Sequence, residues 1–406
     1  MRAAGVPLRY YLPLFLLLAF SGNPLMTSGG HAKVLLVVYL VGLVFFCNRR
    51  VSWTDITEGT NRVLKLCVPI FLIVSFQFQA FGSVSFPGVF ALIVKLLIAL
   101  FTICYYKRKR LDPFVLFIRL MAFLSIISLP FFFFNFFSHT GVQLSHPALK
   151  SLLFYTSSDF PDGLLRNCGM FWEPGAFAGY LNLSLIFIAL ENRSLSIGRY
   201  KKEVFWIIIG LLSTMSTTGY LVFGIIACTY FFVNYEKGRV ILLPLLLIFG
   251  AFMYNNLSFL SDKIHEQYRN ALIMEPTDVS NTRFGSIMMD LVYIKDKPLI
   301  GNGLDEKTRF RFHPSIKEDI GHGNGMSNFI VWWGIPFFLF WVYNVGAYSL
   351  NKSQSKKLSL FATFLIVLLL QGEQFLNFPF FLLFFLGPMI LKSRYENIML
   401  YNKSVV

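Results

Sequence analysis

"KRKRLDPFVLFIRLMAFLSIISLPFFFFNFF", residues 107–137, sets four basic residues against a long apolar run that starts at Pro113. A helix needs about 20 apolar residues to cross the hydrocarbon core of a bilayer. A helix also satisfies its own backbone there, where no water can do so. The basic cluster marks the end that stays in the cytoplasm. Eleven further runs of this kind follow from the same reading, near 8–26, 32–47, 63–82, 86–104, 174–190, 203–217, 219–233, 240–256, 326–349, 358–371 and 376–391. The first lies behind Arg2 and Arg9 and resembles a signal peptide, but it lacks a small-residue cleavage site and reads as retained. Only 14% of the 406 residues are charged, against roughly 25% in soluble domains. The expectation is an all-α, polytopic integral membrane protein with about twelve transmembrane helices. It forms a single membrane domain over 1–406.

The net charge of +15 reports topology rather than a nucleic-acid partner. Arg49, Arg50, Arg62 and Lys65 fall between the second and third runs, and Lys107–Arg110 between the fourth and fifth. Arg193, Arg199, Lys201 and Lys202, then Lys237 and Arg239, then Lys352, Lys356 and Lys357 continue the alternation. Every second loop is basic, which places both termini in the cytoplasm. The other side carries a first outer loop at 138–172 and a large outer loop at 257–323. All six histidines, at 31, 139, 146, 265, 313 and 322, fall on that side or at its boundary. The basic loops hold no Walker A segment and no Rossmann fingerprint. Chemistry therefore belongs outside the cytoplasm, on a substrate that arrives already activated. The cysteines show no paired framework and no C-x-x-C, so neither a disulfide nor structural zinc is expected.

Polar residues gather at helix entrances. "RNCGMFWEPGAFAGYL" runs from Arg166 into the sixth span. Glu173 precedes Pro174, a favoured first helical residue. Glu173 either offsets the helix dipole or orients a hydroxyl, and Arg166 is either a solvated loop charge or an anion ligand. "STTGY" at 216–220 offers Thr218 or Ser216 as a helix cap, or Thr218 as part of a phosphate-binding helix start. "SNTRFGSIMMDLVYIKDKP" predicts a surface helix with Phe284, Ile287, Leu291 and Ile294 as its apolar stripe. Such a helix lies on the membrane. Arg283 stands in its first turn, where a cation opposes the dipole unless an anion binds between them. "HGNGMSN" brings His322, Asn324 and Asn328 to the entrance of the tenth span, without a second histidine or carboxylate to suggest a metal. Lys95 and Arg119 lie inside apparent spans, where charges usually face the bundle interior. Glu373 and Gln374 sit at the last outer turn.

Taken in order, "RNCGMFWEPGAFAGYL", "STTGYL", "TRFGSI…KDKPLIGNG" and "HGNGMSNFIVWWGIP" resemble the bacterial O-antigen polymerase and O-antigen ligase superfamily of the Wzy type. The resemblance covers most of 160–335. It implies a metal-independent membrane glycosyltransferase, GT-C like, without cofactor, in the bacterial cytoplasmic (inner) membrane. The implied donor is an undecaprenyl-pyrophosphate-linked oligosaccharide, and the implied setting is lipopolysaccharide assembly in the lipid bilayer with a chain-length regulator membrane protein as partner. Arg166 and Arg283 would hold the pyrophosphate, with Arg309 and Arg311 in reserve and Thr218, Asn324 and Asn328 nearby. His322 would be the base, with Glu173 as its competitor. The expected reaction is polymerisation of lipid-linked repeats. Ligation onto lipid A core is the alternative, and a polysaccharide flippase the second alternative, which ought to show matching halves.

Overall fold

The computed structural model describes residues 6–27, 30–48, 53–138, 142–143, 149–159, 165–234, 283–312 and 324–387. The chain is mostly helical. After a short α1 (Leu12–Ala19) and α2 (Pro24–Thr27) come α3 (Gly30–Asn48), α4 (Trp53–Phe81), α5 (Phe86–Arg108) and α6 (Pro113–Ser138). Four short strands follow: β1 (Val142–Gln143), β2 (Leu149–Leu152), β3 (Tyr155–Asp159) and β4 (Leu165–Asn167). Then come α7 (Pro174–Asn192), α8 (Lys201–Ser213), α9 (Thr217–Asn234), α10 (Arg283–Asp296), α11 (Glu306–Arg309), α12 (Gly325–Trp333), α13 (Ile335–Ser353), α14 (Lys356–Leu369) and α15 (Pro379–Leu382).

Five of the described helices are long and apolar enough to cross a membrane: Val63–Phe81 within α4, then α5, the Pro113–Asn135 part of α6, α7 and α9. The expected span at 240–256 lies outside the described residues. Two other expected spans take a different form. The run 326–349 breaks at Gly334, whose φ of 83° separates α12 from α13. That backbone conformation suits glycine alone among common residues, and a Cβ there would overlap the Leu299 carbonyl. The run from 376 begins as two short 3-10 turns around the four-residue α15, all packed inside the protein. Phe380, Phe381 and Phe384 are fully buried. A continuous apolar run fits a core segment as well as a span.

The first outer loop holds the main departure from an all-α fold. The four strands form one antiparallel sheet in the order β1-β2-β3-β4. β3 and β4 pair with Ser157 opposite Asn167 and Ser158 opposite Arg166. These strands are two to five residues long and poor in β-branched residues, so they carry little propensity signal. Tertiary contact orders them: Asn23 donates from Nδ2 to the carbonyls of Phe154 (3.1 Å) and Met170 (2.8 Å).

α7 is the buried axis. Sixteen of its residues are buried, from Pro174 to Leu190, and α6, α8, α9, α13 and α14 pack around it. Its buried amide and hydroxyl donors find partners inside the protein, as a membrane interior requires. Asn182 donates to the carbonyls of Ala178 (2.9 Å) and Gly219 (3.0 Å), tying α7 to the start of α9. At the opposite, basic end, Lys352 is buried between Asp112 and Glu191, the latter 2.5 Å away. That clamp joins the α5–α6 turn, the end of α7 and the end of α13.

Candidate active site at converging helix entrances

The turn Leu370–Phe378 is the place where three polar helix entrances meet. From α7, Trp172 donates its indole N–H to Glu373 Oε2 at 3.2 Å, and its ring packs on Phe378 with centroids 4.7 Å apart. Glu173 follows immediately and is the extended N-cap residue of α7. From α9, Thr218 lies against Gly372. From α12, Asn324 donates to Gln371 Oε1 at 2.5 Å, while the amides of Gly325 and Met326 donate to the Leu370 carbonyl at 3.0 and 3.1 Å. Gly325 touches the Glu373 backbone so closely that a Cβ would overlap its carbonyl. The sequence therefore places glycine where two backbones must meet.

Arg166 enters from the sheet. It is buried on β4, and its charge reaches the phenol of Tyr220 on α9. The next residue fixes this strand end. Asn167 donates to the hydroxyls of Ser128 on α6 (3.0 Å) and Ser213 on α8 (2.9 Å), and accepts from the Gly169 amide (2.9 Å). The α8–α9 turn beside it is capped by Ser216, which accepts from the Gly219 amide at 3.2 Å. Of the two cap candidates, Ser216 fills that role.

A second polar cluster stands behind the α12 entrance. Arg309 on α11 pairs with Asp290 on α10 and donates from Nε (3.2 Å) and Nη2 (3.1 Å) to Asn328 Oδ1. Asp290 accepts from the Ser327 hydroxyl at 2.6 Å. Ser327 also donates to Asn324 Oδ1, through its hydroxyl at 3.1 Å and its amide at 2.9 Å. All five side chains are buried. Burial pushes the Asp290 carboxyl above the usual carboxylate range, against the pull of the Arg309 guanidinium and the Ser327 hydroxyl. The guanidinium is sandwiched near the rings of Tyr293 and Phe310, 5.0 and 4.9 Å from their centroids. The result is a continuous relay from the outer helices through Asn324 to the turn at Gln371.

The "PLIGNG" segment locks the same region. Asn302 and Gly303 donate their amides to the carbonyls of Val331 (2.6 Å) and Trp332 (3.3 Å). Gln77 of α4 donates to the carbonyls of Ile300 (2.6 Å) and Trp332 (2.8 Å). The third and fourth sequence motifs are thus two sides of one docked joint.

Several sequence-predicted residues come together here: Glu173, Thr218 and Asn324 through their immediate neighbours at the turn, and Asn328 and Arg309 in the relay. Arg311 stands apart, paired with Asp296 and stacked on Phe81 and Phe312, each 4.6 Å from ring centroid to guanidinium. Arg283 opens α10 as expected, and its side chain is outside the described residues. His322 lies outside them altogether, two residues before Asn324. α10 carries its predicted apolar stripe half-buried to exposed at Ile287, Leu291 and Ile294. The helix buries Ser286, Met289, Asp290 and Tyr293, while Leu291 is 38% exposed. Its inner face is polar because Arg309 and Ser327 satisfy Asp290; the apolar face is left for the surroundings. Asp290 and Trp172 were not singled out from sequence. An aspartate within an apolar helical window was the available signal for the first.

Comparison with known proteins agrees with this layout. Residues 204–342, about a third of the chain, match the family model described as O-antigen ligase. The matched segment contains Thr218, Arg283, Arg309, Arg311, His322, Asn324 and Asn328, and ends before the turn at 370–378. It bears out the resemblance to the O-antigen polymerase and ligase superfamily. No curated protein and no solved structure matches the chain.

Proposed function

We propose that this protein is an O-antigen or surface-polysaccharide polymerase of the bacterial inner membrane, with both termini cytoplasmic. It transfers a glycan from an undecaprenyl-pyrophosphate-linked donor onto a lipid-linked repeat at the outer face. The observation that supports this reading best is the meeting of the α7, α9 and α12 entrances at one turn. Each brings polar groups to the depth where a lipid headgroup would hold its reacting bond, and two of the three entrances lie in or beside the segment matched to O-antigen ligases.

In this reading the acceptor hydroxyl attacks the anomeric carbon of the donor sugar. The bond from that carbon to the pyrophosphate oxygen breaks, and the hydroxyl proton passes to His322 or, as its competitor, Glu173. Lipid pyrophosphate leaves carrying the bonding electron pair. Arg166 and Arg283 stabilise it, since guanidinium pairs bidentately with phosphate oxygens and acts most where charge develops. The buried relay through Asp290, Ser327 and Asn324 holds the α12 entrance.

Ligation onto lipid A core is the second reading, and the family description favours it. Lipid and glycan analysis of a deletion strain separates the two. Accumulated single-repeat glycolipid supports the polymerase. Unligated long chains would overturn it in favour of the ligase, and a build-up on the cytoplasmic face would overturn both in favour of a flippase.

A further inference from the structure

α10 is built inside out. A helix docked on a protein in water buries its apolar face and shows its polar one. In α10 the face packed on α12 carries Ser286, Asp290 and Tyr293 beside Met289, all buried, and Asp290 accepts there from the Ser327 hydroxyl. The other face shows Met288, Leu291 and Val292, neighbours at i, i+3 and i+4, and all three are exposed. Leu299, just past the helix end, and Phe312 are exposed as well. A contiguous exposed apolar row marks an interaction surface.

The ties of this segment say what covers the row. Gln77 lies near the end of Val63–Phe81, a stretch long and apolar enough to cross a membrane, and donates to the Ile300 carbonyl at 2.6 Å. Phe81, the last residue of that stretch, has the Arg311 guanidinium 4.6 Å from its ring centroid. The Pro298 carbonyl accepts from the amide of Ile335, the first residue of α13, at 2.8 Å. Leu299, 68% exposed, therefore sits between a tie to α4 and a tie to α13. Both helices show apolar side chains on their exposed sides, Phe76 and Phe78 on α4, Leu339 and Phe340 on α13. Lipid tails are as apolar as leucine and suit such side chains. The row on α10 runs back from Leu299, at the rim of this lipid-facing surface. Its margin is basic. Lys295 is exposed one turn beyond Leu291 and Val292, and the adjacent Asp296 is paired with Arg311. An apolar row with lysine at its edge is the pattern of a helix lying in the headgroup region, where a lysine stem follows the apolar surface and its ammonium reaches the phosphates.

We infer that the exposed face of α10 is a docking surface for the outer leaflet of the bilayer, with phospholipid as its partner. Leu291 and Val292 enter the acyl boundary, and Lys295 stays at the phosphate level. Lipid on one face and the Asp290–Ser327 bond on the other fix α10, so the bilayer itself braces the α12 entrance. The inference rests on the placement of α10 and holds whatever reaction the site performs.

The test uses the full chain, one copy per nanodisc of phosphatidylethanolamine and phosphatidylglycerol. A nitroxide is attached to Leu291→Cys or Val292→Cys after replacement of the native cysteines, with Lys307→Cys as the aqueous control. Positions 291, 292 and 307 are all exposed, so the label requires no repacking. Oxygen, which concentrates in lipid, should relax the labels at 291 and 292 several-fold more than a water-soluble nickel chelate, and the order should reverse at 307. A chelate-dominated response at 291 and 292 leaves the face in water and overturns the inference. Exclusion of both reagents means that protein covers the face, and overturns it equally. If the chain does not fold without its native cysteines, a benzophenone amino acid at Val292 in cell membranes gives the same decision. Phospholipid adducts, read by mass, are expected. Cross-links to a second copy or another protein without lipid adducts, or no lipid adduct at all, overturn the inference.

Discussion

Arg309 and Asp290 form an ion pair closed to solvent, 3% and 0% exposed, between two helices of the outer layer. Removing one member of a buried pair leaves an uncompensated charge, at about 3–5 kcal/mol, whereas replacing both with apolar residues of similar volume is often near neutral. Asp290→Leu and Arg309→Met should each lower the thermal midpoint strongly in detergent and open α10 to protease. The double variant should recover most of the loss. Additive losses in the double variant would show that the two residues act independently.

Gly325 and Gly334 delimit α12. Gly325→Ala places a methyl group on the Glu373 carbonyl, which cannot retreat like a side chain. The α12 entrance must then lift from the 370–374 turn. We expect transfer activity to fall by at least about tenfold, as small displacements near reacting groups do, with normal accumulation in the membrane. Gly334→Ala combines a positive φ with overlap on the Leu299 carbonyl. It should destabilise by roughly 1–3 kcal/mol, read as increased proteolysis of the joint. Wild-type activity and stability in both variants would mean that the joint is not tightly packed in the membrane.

How much of this was legible beforehand follows from the physics of each signal. Long apolar runs such as 113–137 and 174–190 read correctly because hydrocarbon leaves the backbone no alternative to a helix. The run at 376 was ambiguous because a buried aromatic core segment and a span have the same composition. The sheet around Tyr155 was invisible: its strands are too short for alternation to show, and Asn23, more than a hundred residues away, helps order it. At the site, Glu173, Thr218 and Asn324 were legible as polar residues at helix starts. Their common destination was not, because Glu373 and Gln371 reach them only through tertiary packing. The docking face of α10 went unread because periodicity counts apolar residues, and the face that docks carries Asp290.

The basic end of the protein offers a topology test with a structural control. Lys352 sits between Asp112 and Glu191 and should be unreactive from either side. Cysteines placed near 108 and 355 should be protected in intact cells, and one at 307, an exposed position, should label. Lys352→Met removes the buried cation shared by Asp112 and Glu191 and should lower the yield of folded protein, while Lys356→Met, on an exposed position at the start of α14, should not. Labelling of 307 only after the inner side is opened would invert the scheme.

The remaining prediction concerns Arg166. Its strand is fixed on both sides of the chain by Asn167, held by Ser128 and Ser213, and by the sheet partner Ser158. Such anchoring leaves little freedom for the guanidinium to be replaced by a longer or shorter reach. Lysine keeps the charge but loses the planar fork that matches paired phosphate oxygens. If Arg166 stabilises the departing pyrophosphate, Arg166→Lys should reduce polymer formation by about 10²–10³-fold, the usual effect of deleting one donor aimed at developing charge. The loss should appear mainly in kcat, because the donor is needed most in the transition state. Arg193 is the control. It is exposed, it ends α7 with φ of 55°, and its lysine variant should keep wild-type rates. The measurement is polymer yield from purified lipid-linked repeat at matched protein levels. A wild-type kcat in Arg166→Lys would reduce this arginine to a structural cation beneath the sheet, and Arg283 would then be the first place to look for the pyrophosphate.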